Sequence, residues 1–453
     1  MDDNGTVGKV KRVVIVGAGI SGLAVATFLD GEPGVSLTVL EAAPEPGGNV
    51  RTDAEDGFLL DRAANGWLNN EPAMSRLLER AGLTEQVVSA NDSAYGKRWI
   101  FAEGALHAAP MSPPAMIKTR LLPTSAKLRL ALEPLIGRGD PEQTVGEFVR
   151  RRLGPSFVDR MVGPMVSGIY AADPDALELK AAFPCMAELE AEYRSLFVAM
   201  MKLRRGGAPR GHLETLRGGA GALTRALADR LGDRLRCGVT ARSLTRDGDG
   251  WTVRTDDEVL YADAVVLAAP GYVQASLVRD VAPVAADALD GIPYAPVVVV
   301  ATGWRRWEDA PEGFGALKAL DADLGGVLGV LFSSNVFPEQ APEGGTLLRS
   351  VIGGAMYPEV ANLDDQSLTR LALDAITAMV GRPPPPDLVR VSRHPRGIPQ
   401  YAPGHRARVA LVRVEEARNP GLYFGGNHLA GIGVKDCARV GEGIAKQILG
   451  SEA

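Results

Sequence analysis

The chain is short of cysteine, of histidine and of positive charge, and each shortage excludes something. Its three cysteines, Cys185, Cys237 and Cys437, stand far apart, are odd in number and form no close pair that could begin a zinc or dithiol site. A reducing cytoplasm is the expected setting. The five histidines, His107, His212, His394, His405 and His428, are scattered without metal-ligand spacing, so no metal is expected. The formal net charge of −6 and the pI near 5.6 lack the basic excess of a nucleic-acid binder. No apolar run reaches the roughly 20 residues of a membrane-spanning helix. The opening MDDNGTVGKVKR holds no apolar stretch before a cleavage site. Neither secretion nor integral membrane insertion is expected.

With 453 residues, 46% of them apolar and 23% charged, the chain has an ordinary globular composition. It is too long for one compact unit, so two or three lobes sharing an extended core are expected.

The segment VVIVGAGISGLAVATFL reads as a buried parallel strand, Val13 to Val16, that breaks at glycines into a helix running to about Leu29. Gly17, Gly19 and Gly22 have the spacing of a dinucleotide-binding turn. The first permits the sharp turn, the second lets a pyrophosphate approach the backbone, and the third lets helix and strand pack closely. The helix N-terminus offers unpaired N–H groups to the phosphates. A second strand, LTVLE, ends in Glu41 at about the distance where a carboxylate accepts from the ribose hydroxyls. To this point FAD and NAD fit equally well.

The next residues, AAPEPGGNVRT, place Gly47 and Gly48 after the acidic strand and Arg51 three residues on. This resembles the second signature of two-dinucleotide-binding-domain flavoproteins, and the resemblance implies a glycine pair near the flavin phosphates and an arginine holding the loop.

Five segments follow from composition: 1–93 and 212–271 as two parts of a nucleotide-binding domain, 94–211 as a helical lobe, 272–393 as a β-rich domain, and 394–453 as the last part of the first domain. In the helical lobe, AMIKTRLLPTSAKLRLALEPLIG interleaves Ile117, Leu121, Leu122, Leu128, Leu130 and Leu132 with Lys118, Arg120, Lys127 and Arg129. Such a stretch suits either a surface helix with a core-facing side or a membrane interface. RSLTRDGDGWTVRT alternates around a DGDG turn as a hairpin does, and ADAVVLAAPG reads as another buried strand. The run GLYFGGNHLAGIGVKDCARVGEGIAKQILG gives a short strand, a glycine loop and a helix, whose N-terminus would favour an anionic reduced flavin.

Four blocks in order resemble the protoporphyrinogen and coproporphyrinogen oxidases of the flavin amine oxidase superfamily: VVIVGAGISGLA with GGNVRT, VSGIYAADPDALEL, LETLRGGAGALTRAL with ADAVVLAAPG, and IPQYAPGH with GGNHLAGIGVKDC. The resemblance implies an α/β, Rossmann-like FAD-binding fold with a mixed-sheet substrate domain and a helical lobe. It implies FAD, and oxidation of a porphyrinogen to the porphyrin with oxygen as acceptor, in heme biosynthesis. Flavin contacts carried over are Gly17, Ala18, Gly19, Ile20, Ser21, Gly22, Glu41, Ala42, Gly48, Arg51, Asn65, Val239, Ile432, Gly433 and Val434. Walls of the macrocycle pocket are Asn65, Gly168, Phe314, Gly315, Leu317 and Val351. Many members carry Gly-Pro where this chain has Ala63 and Ala64. No catalytic side chain is expected, because hydride transfer to the flavin needs orientation and a dry pocket more than a base. A peripheral contact with the inner face of the cell membrane and a homodimer stay open. So do three other functions: a flavin amine oxidase, a carotenoid-type desaturase, and a flavin-binding module without turnover.

Overall fold

A computed structural model describes residues 10–196, 198, 199, 202 and 211–450. The first nine residues of the polar opening stretch, residues 203–210 of the expected helical lobe and residues 451–453 lie outside it.

The amino-terminal strand β1 (Lys11–Val16) is the centre of a parallel five-stranded sheet. On one side of it lies β2 (Val35–Glu41), followed by Leu235–Cys237; on the other lie Ala264–Leu267 and Leu422–Phe424. Helix α1 (Ile20–Leu29) connects β1 to β2, and all ten of its residues are buried. A helix that is apolar all round needs cover on both faces. The sheet supplies one cover, and the helices Gly221–Leu231 and Val434–Leu449 supply the other within a single apolar cluster. The expected hairpin forms as Ser243–Asp247 paired with Gly250–Arg254, joined to a third strand, Val259–Ala262.

A seven-stranded mixed sheet forms the second layer. Its order is Leu388–Pro399, Tyr294–Trp304, Thr346–Gly353, Val327–Leu331, Gly315–Lys318, Arg98–Ala102 and Ala105–Ala108. All neighbours are antiparallel except Gly315–Lys318 and Arg98–Ala102, which run parallel. One face packs on the helix Asp365–Val380 through Val298, Val300, Ala316, Val330 and Ile352. The alternation of a strand turns the residues between these toward the opposite face, which meets the helical lobe and the loops of the parallel sheet.

The basic amphipathic stretch is not one helix. Pro123 stands before a second helix, so Pro113–Lys118 and Thr124–Ala131 are separate, followed by the 3-10 turn Glu133–Leu135. Proline lacks the N–H that would have continued the first helix. Leu121 and Leu122 are buried between the two, while Ile117, Leu128, Leu132 and Leu135 are exposed. Beneath them Arg152, fully buried, bonds Glu133 at 2.6 Å and Glu190 at 2.6 Å. A buried cation with two hydrogen-bonded carboxylates fixes the lobe's short helices together. Among the described residues no helix is long and apolar enough to cross a membrane.

Candidate functional site

The turn after β1 has the geometry its three glycines require. Gly17 has φ of 106°, and a Cβ there would lie 2.8 Å from the Ala269 nitrogen. A Cβ on Gly22 would lie 2.0 Å from the Gly17 carbonyl oxygen, so α1 can approach β1 only with glycine at that position. Gly19 differs: a Cβ on it meets nothing within 4 Å. The open side of the loop is therefore at the glycine expected to let a ligand come close.

The second glycine loop lies against the first. The Gly47 N–H donates to the Ala18 carbonyl at 2.8 Å, and a Cβ on Gly48 would come within 3.3 Å of the Gly19 Cα. Glu41 closes the same corner, accepting the Ala18 N–H at 2.7 Å and the Ala43 N–H at 2.8 Å. Ala42 between them is exposed. Val239 donates its N–H to the Glu41 carbonyl at 2.9 Å, bringing a third loop to the end of β2. Arg51 reaches back to Glu45 in an ion pair. Ile20 and Ser21 are buried in the first turn of α1, and Ser21 hydrogen-bonds the Cys437 thiol in the carboxy-terminal helix. That helix begins just after Ile432 and Gly433, at Val434, with Asp436 accepting the Gly433 N–H at 3.1 Å. The open Gly19 loop, the adjacent second glycine loop and a carboxylate at the end of β2 together fit a dinucleotide lying across the carboxyl ends of the strands.

Asn65 lies half-buried in the segment that links this corner to the mixed sheet. The Ala64 N–H donates to the Asn49 carbonyl at 3.4 Å, and the Ala63 carbonyl accepts from the Arg349 guanidinium at 2.6 Å. Arg349 is buried, and desolvation lowers its pKa. Nearby Asp61, also buried, accepts from Thr52 at 2.5 Å, Gln340 at 2.6 Å and the Ala220 N–H at 3.0 Å. Desolvation nevertheless raises its pKa, against the opposing pull of Arg349 and these bonds. Sequence reasoning missed both residues. The available signal was a lone arginine inside the apolar strand TLLRSVIG, since a charge is buried there only with partners.

Of the sequence-derived wall residues, Leu317, Gly168 and Val351 come together. Leu317 pairs with Gly329, and Gly329 pairs with Val351, so the three form one row across the face opposite the covering helix. Gly168, on the helix Gly163–Tyr170, lies over that row: a Cβ on it would be 2.7 Å from a Leu317 methyl. Gly315 is one step along, paired with Leu331. Phe314 stands apart, packed edge to face on Tyr95 with ring centroids 5.8 Å apart.

His405 and His428 lie beneath the carboxy-terminal loop. The His405 ring stacks on Tyr401 at 4.0 Å, and the Tyr401 hydroxyl donates to the Asn427 carbonyl at 2.6 Å and accepts the Gly431 N–H at 2.8 Å. Burial lowers the pKa of His405 to about 4 and that of His428 to about 3, so both are neutral at physiological pH.

With this geometry in view, comparison with known proteins is decisive for the family. The family model described as flavin containing amine oxidoreductase matches residues 20–449. The chain belongs to this family. It is a flavin-dependent oxidoreductase, and its cofactor is FAD. Among curated members, the coproporphyrinogen III oxidase of Bacillus subtilis is 28% identical, with 97% of this chain and 98% of that one aligned. The coproporphyrinogen III oxidase of Propionibacterium freudenreichii is 32% identical over 94% of this chain and 88% of its own. A crystal structure from an Exiguobacterium species, provisionally named protoporphyrinogen oxidase, superposes with a TM-score of 0.86 at 28% identity, covering 97% of this chain and 99% of that one. The mixed α/β architecture of this family member is thus the one expected from its motifs.

Proposed function

We propose that this flavoenzyme oxidises a porphyrinogen, coproporphyrinogen III or protoporphyrinogen IX, to the aromatic porphyrin, with oxygen as acceptor and hydrogen peroxide as by-product, in heme biosynthesis. The observation that carries the reading is the nearly end-to-end match to two enzymes named for that substrate class. The apolar row of Leu317, Gly329 and Val351, with Gly168 above it, supports it as a wall against which a large flat macrocycle can lie. FAD, which the two glycine loops and Glu41 would hold, would supply the hydride acceptor. The chain's own part is to exclude water along that wall, to hold the macrocycle in reach, and to keep the Asn65 segment fixed through Arg349.

The exposed Ile117, Leu128, Leu132 and Leu135, set among Lys118, Arg120, Lys127 and Arg129, support a peripheral contact with the cytoplasmic face of a membrane. Arg152 holds this surface rigid from below.

Anaerobic mixing with coproporphyrinogen III and with protoporphyrinogen IX tests the reaction directly. Bleaching of the flavin absorbance by either, followed by porphyrin fluorescence when air is admitted, is the expected result. Full flavin content with no bleaching by either would end the reading.

A further inference from the structure

Two opposite charges are buried where separate parts of the chain meet, and each is held by neutral groups. Asp61, 1% exposed, accepts from the Thr52 hydroxyl, the Gln340 amide and the Ala220 N–H. Arg349, 3% exposed, donates to the Ala63 carbonyl at 2.6 Å and keeps its Nε without a partner. Burial penalises both charges, and each favours the other across the gap between them.

The guanidinium lies close to the corner assigned to the cofactor. The Ala63 carbonyl that it binds precedes Ala64, whose N–H donates to the Asn49 carbonyl, and Asn49 directly follows the second glycine pair. Other arginines stand near this loop under different conditions. Arg51, Arg62, Arg390 and Arg393 line a cleft of about 540 Å³, are partly exposed, and are each in an ion pair with a carboxylate. Water and salt screen such pairs, whereas a buried charge is screened much less.

Two-electron reduction with uptake of one proton leaves a flavin ring one unit more negative. A buried cation nearby favours that state, and a buried anion disfavours it. We infer that Arg349 and Asp61 form a buried charge couple that sets the reduction potential of the flavin, the arginine raising it and the aspartate restraining it. Arg349 therefore does more than fix the Asn65 segment. A readier hydride acceptor suits a reaction driven through the cofactor rather than through a side-chain base. The inference concerns FAD and holds whatever the substrate.

The test is the midpoint potential of the FAD-loaded protein, measured by reductive titration against a reference dye. Wild type is compared with Asp61→Asn, Arg349→Gln, Arg349→Lys and the surface control Arg390→Gln. Asp61→Asn keeps the shape of the side chain. Gln340 Oε1 is buried without a partner, so turning that amide over lets it accept from the new NH2 group. The hydrogen bonds then survive while the charge is lost. The potential of Asp61→Asn is expected to rise and that of Arg349→Gln to fall, each by about a tenfold change in the ratio of reduced to oxidised flavin, which is about 30 mV for a two-electron couple. Arg349→Lys and Arg390→Gln should stay within that margin of wild type. A wild-type potential in Asp61→Asn would overturn the inference. So would shifts of the same sign in Asp61→Asn and Arg349→Gln, or an equally large fall in Arg390→Gln. If Arg349→Gln does not retain flavin, the rise in Asp61→Asn and the constancy of Arg349→Lys decide the matter. No porphyrinogen enters the measurement, so failure of the proposed reaction would be seen separately.

Discussion

The carboxylate of Glu41 accepts the backbone N–H of Ala18, in the middle of the first glycine turn, at 2.7 Å. The residue expected to hold the ribose is thus also tied to the loop expected to hold the phosphates. Glu41→Ala removes both functions and should weaken FAD binding by about 1.5–3 kcal/mol, the range for bonds to a charged group. Titration of the apoprotein with FAD measures it. An unchanged dissociation constant would mean that the ribose is held by other groups.

Gly19 and Gly22 should fail in different ways when replaced by alanine. At Gly22 the new methyl collides with the Gly17 carbonyl, and neither backbone can yield without opening α1 from β1. Gly22→Ala is expected to lower the melting temperature of the apoprotein and to lose flavin. At Gly19 the space is open and φ is −73°, which any residue adopts. Gly19→Ala should therefore melt like wild type without flavin, yet bind FAD weakly because the methyl occupies the phosphate approach. Equal apoprotein melting temperatures for the two variants would contradict this assignment.

The buried histidines give acid sensitivity a specific origin. Both folded pKa values, about 4 for His405 and about 3 for His428, lie below the ordinary value near 6.5. The unfolded chain binds protons first, so the stabilisation is complete above about pH 6.5 and is lost progressively as pH falls from there toward 4. Each histidine contributes a slope of at most about 1.4 kcal/mol per pH unit in that window. Urea unfolding of the flavin-loaded protein at pH 7.5, 6.5 and 5.5 should show the decline. His405→Gln and His428→Gln should each make it shallower, and a variant with the wild-type slope would exclude its histidine as a source.

Replacing Leu128, Leu132 and Leu135 together by serine should leave flavin content and porphyrinogen oxidation in detergent intact, since all three are exposed. Sedimentation with anionic vesicles should be lost. Wild-type protein should be released by high salt or alkaline wash, as expected where Lys118, Arg120, Lys127 and Arg129 supply much of the attraction and the apolar groups insert only shallowly. If wild type fails to sediment, these leucines have another purpose.

The geometry of the candidate flavin corner was legible because its residues are close in sequence. Gly17, Gly19, Gly22 and Glu41 belong to one strand–helix–strand unit, and their spacing encodes the turn directly. The row proposed as the macrocycle wall was singled out only through resemblance. Leu317 and Val351 meet through Gly329, and no periodicity announces a row assembled from three strands. The amphipathic stretch misled in one respect: its alternation of apolar and basic residues was clear, but Pro123 divides it into two short helices that share burial unequally. Arg349 escaped notice because its meaning depends on a partner distant in the chain, the Ala63 carbonyl.

The strand order of the parallel sheet bears on how the protein is made. β1 leaves the ribosome before the other described strands, but its sheet is completed by Leu422–Phe424, and α1 is covered by Val434–Leu449, which emerge after all the other described elements. The mixed sheet, whose last strand ends at Pro399, can be finished earlier. In the interval the nascent chain must therefore carry an uncovered apolar helix and an unpaired strand edge, which are liabilities for aggregation. Retention of flavin should follow only once Leu422–Phe424 and Val434–Leu449 have docked, so a yellow molecule is one in which these two distant stretches of chain have already met.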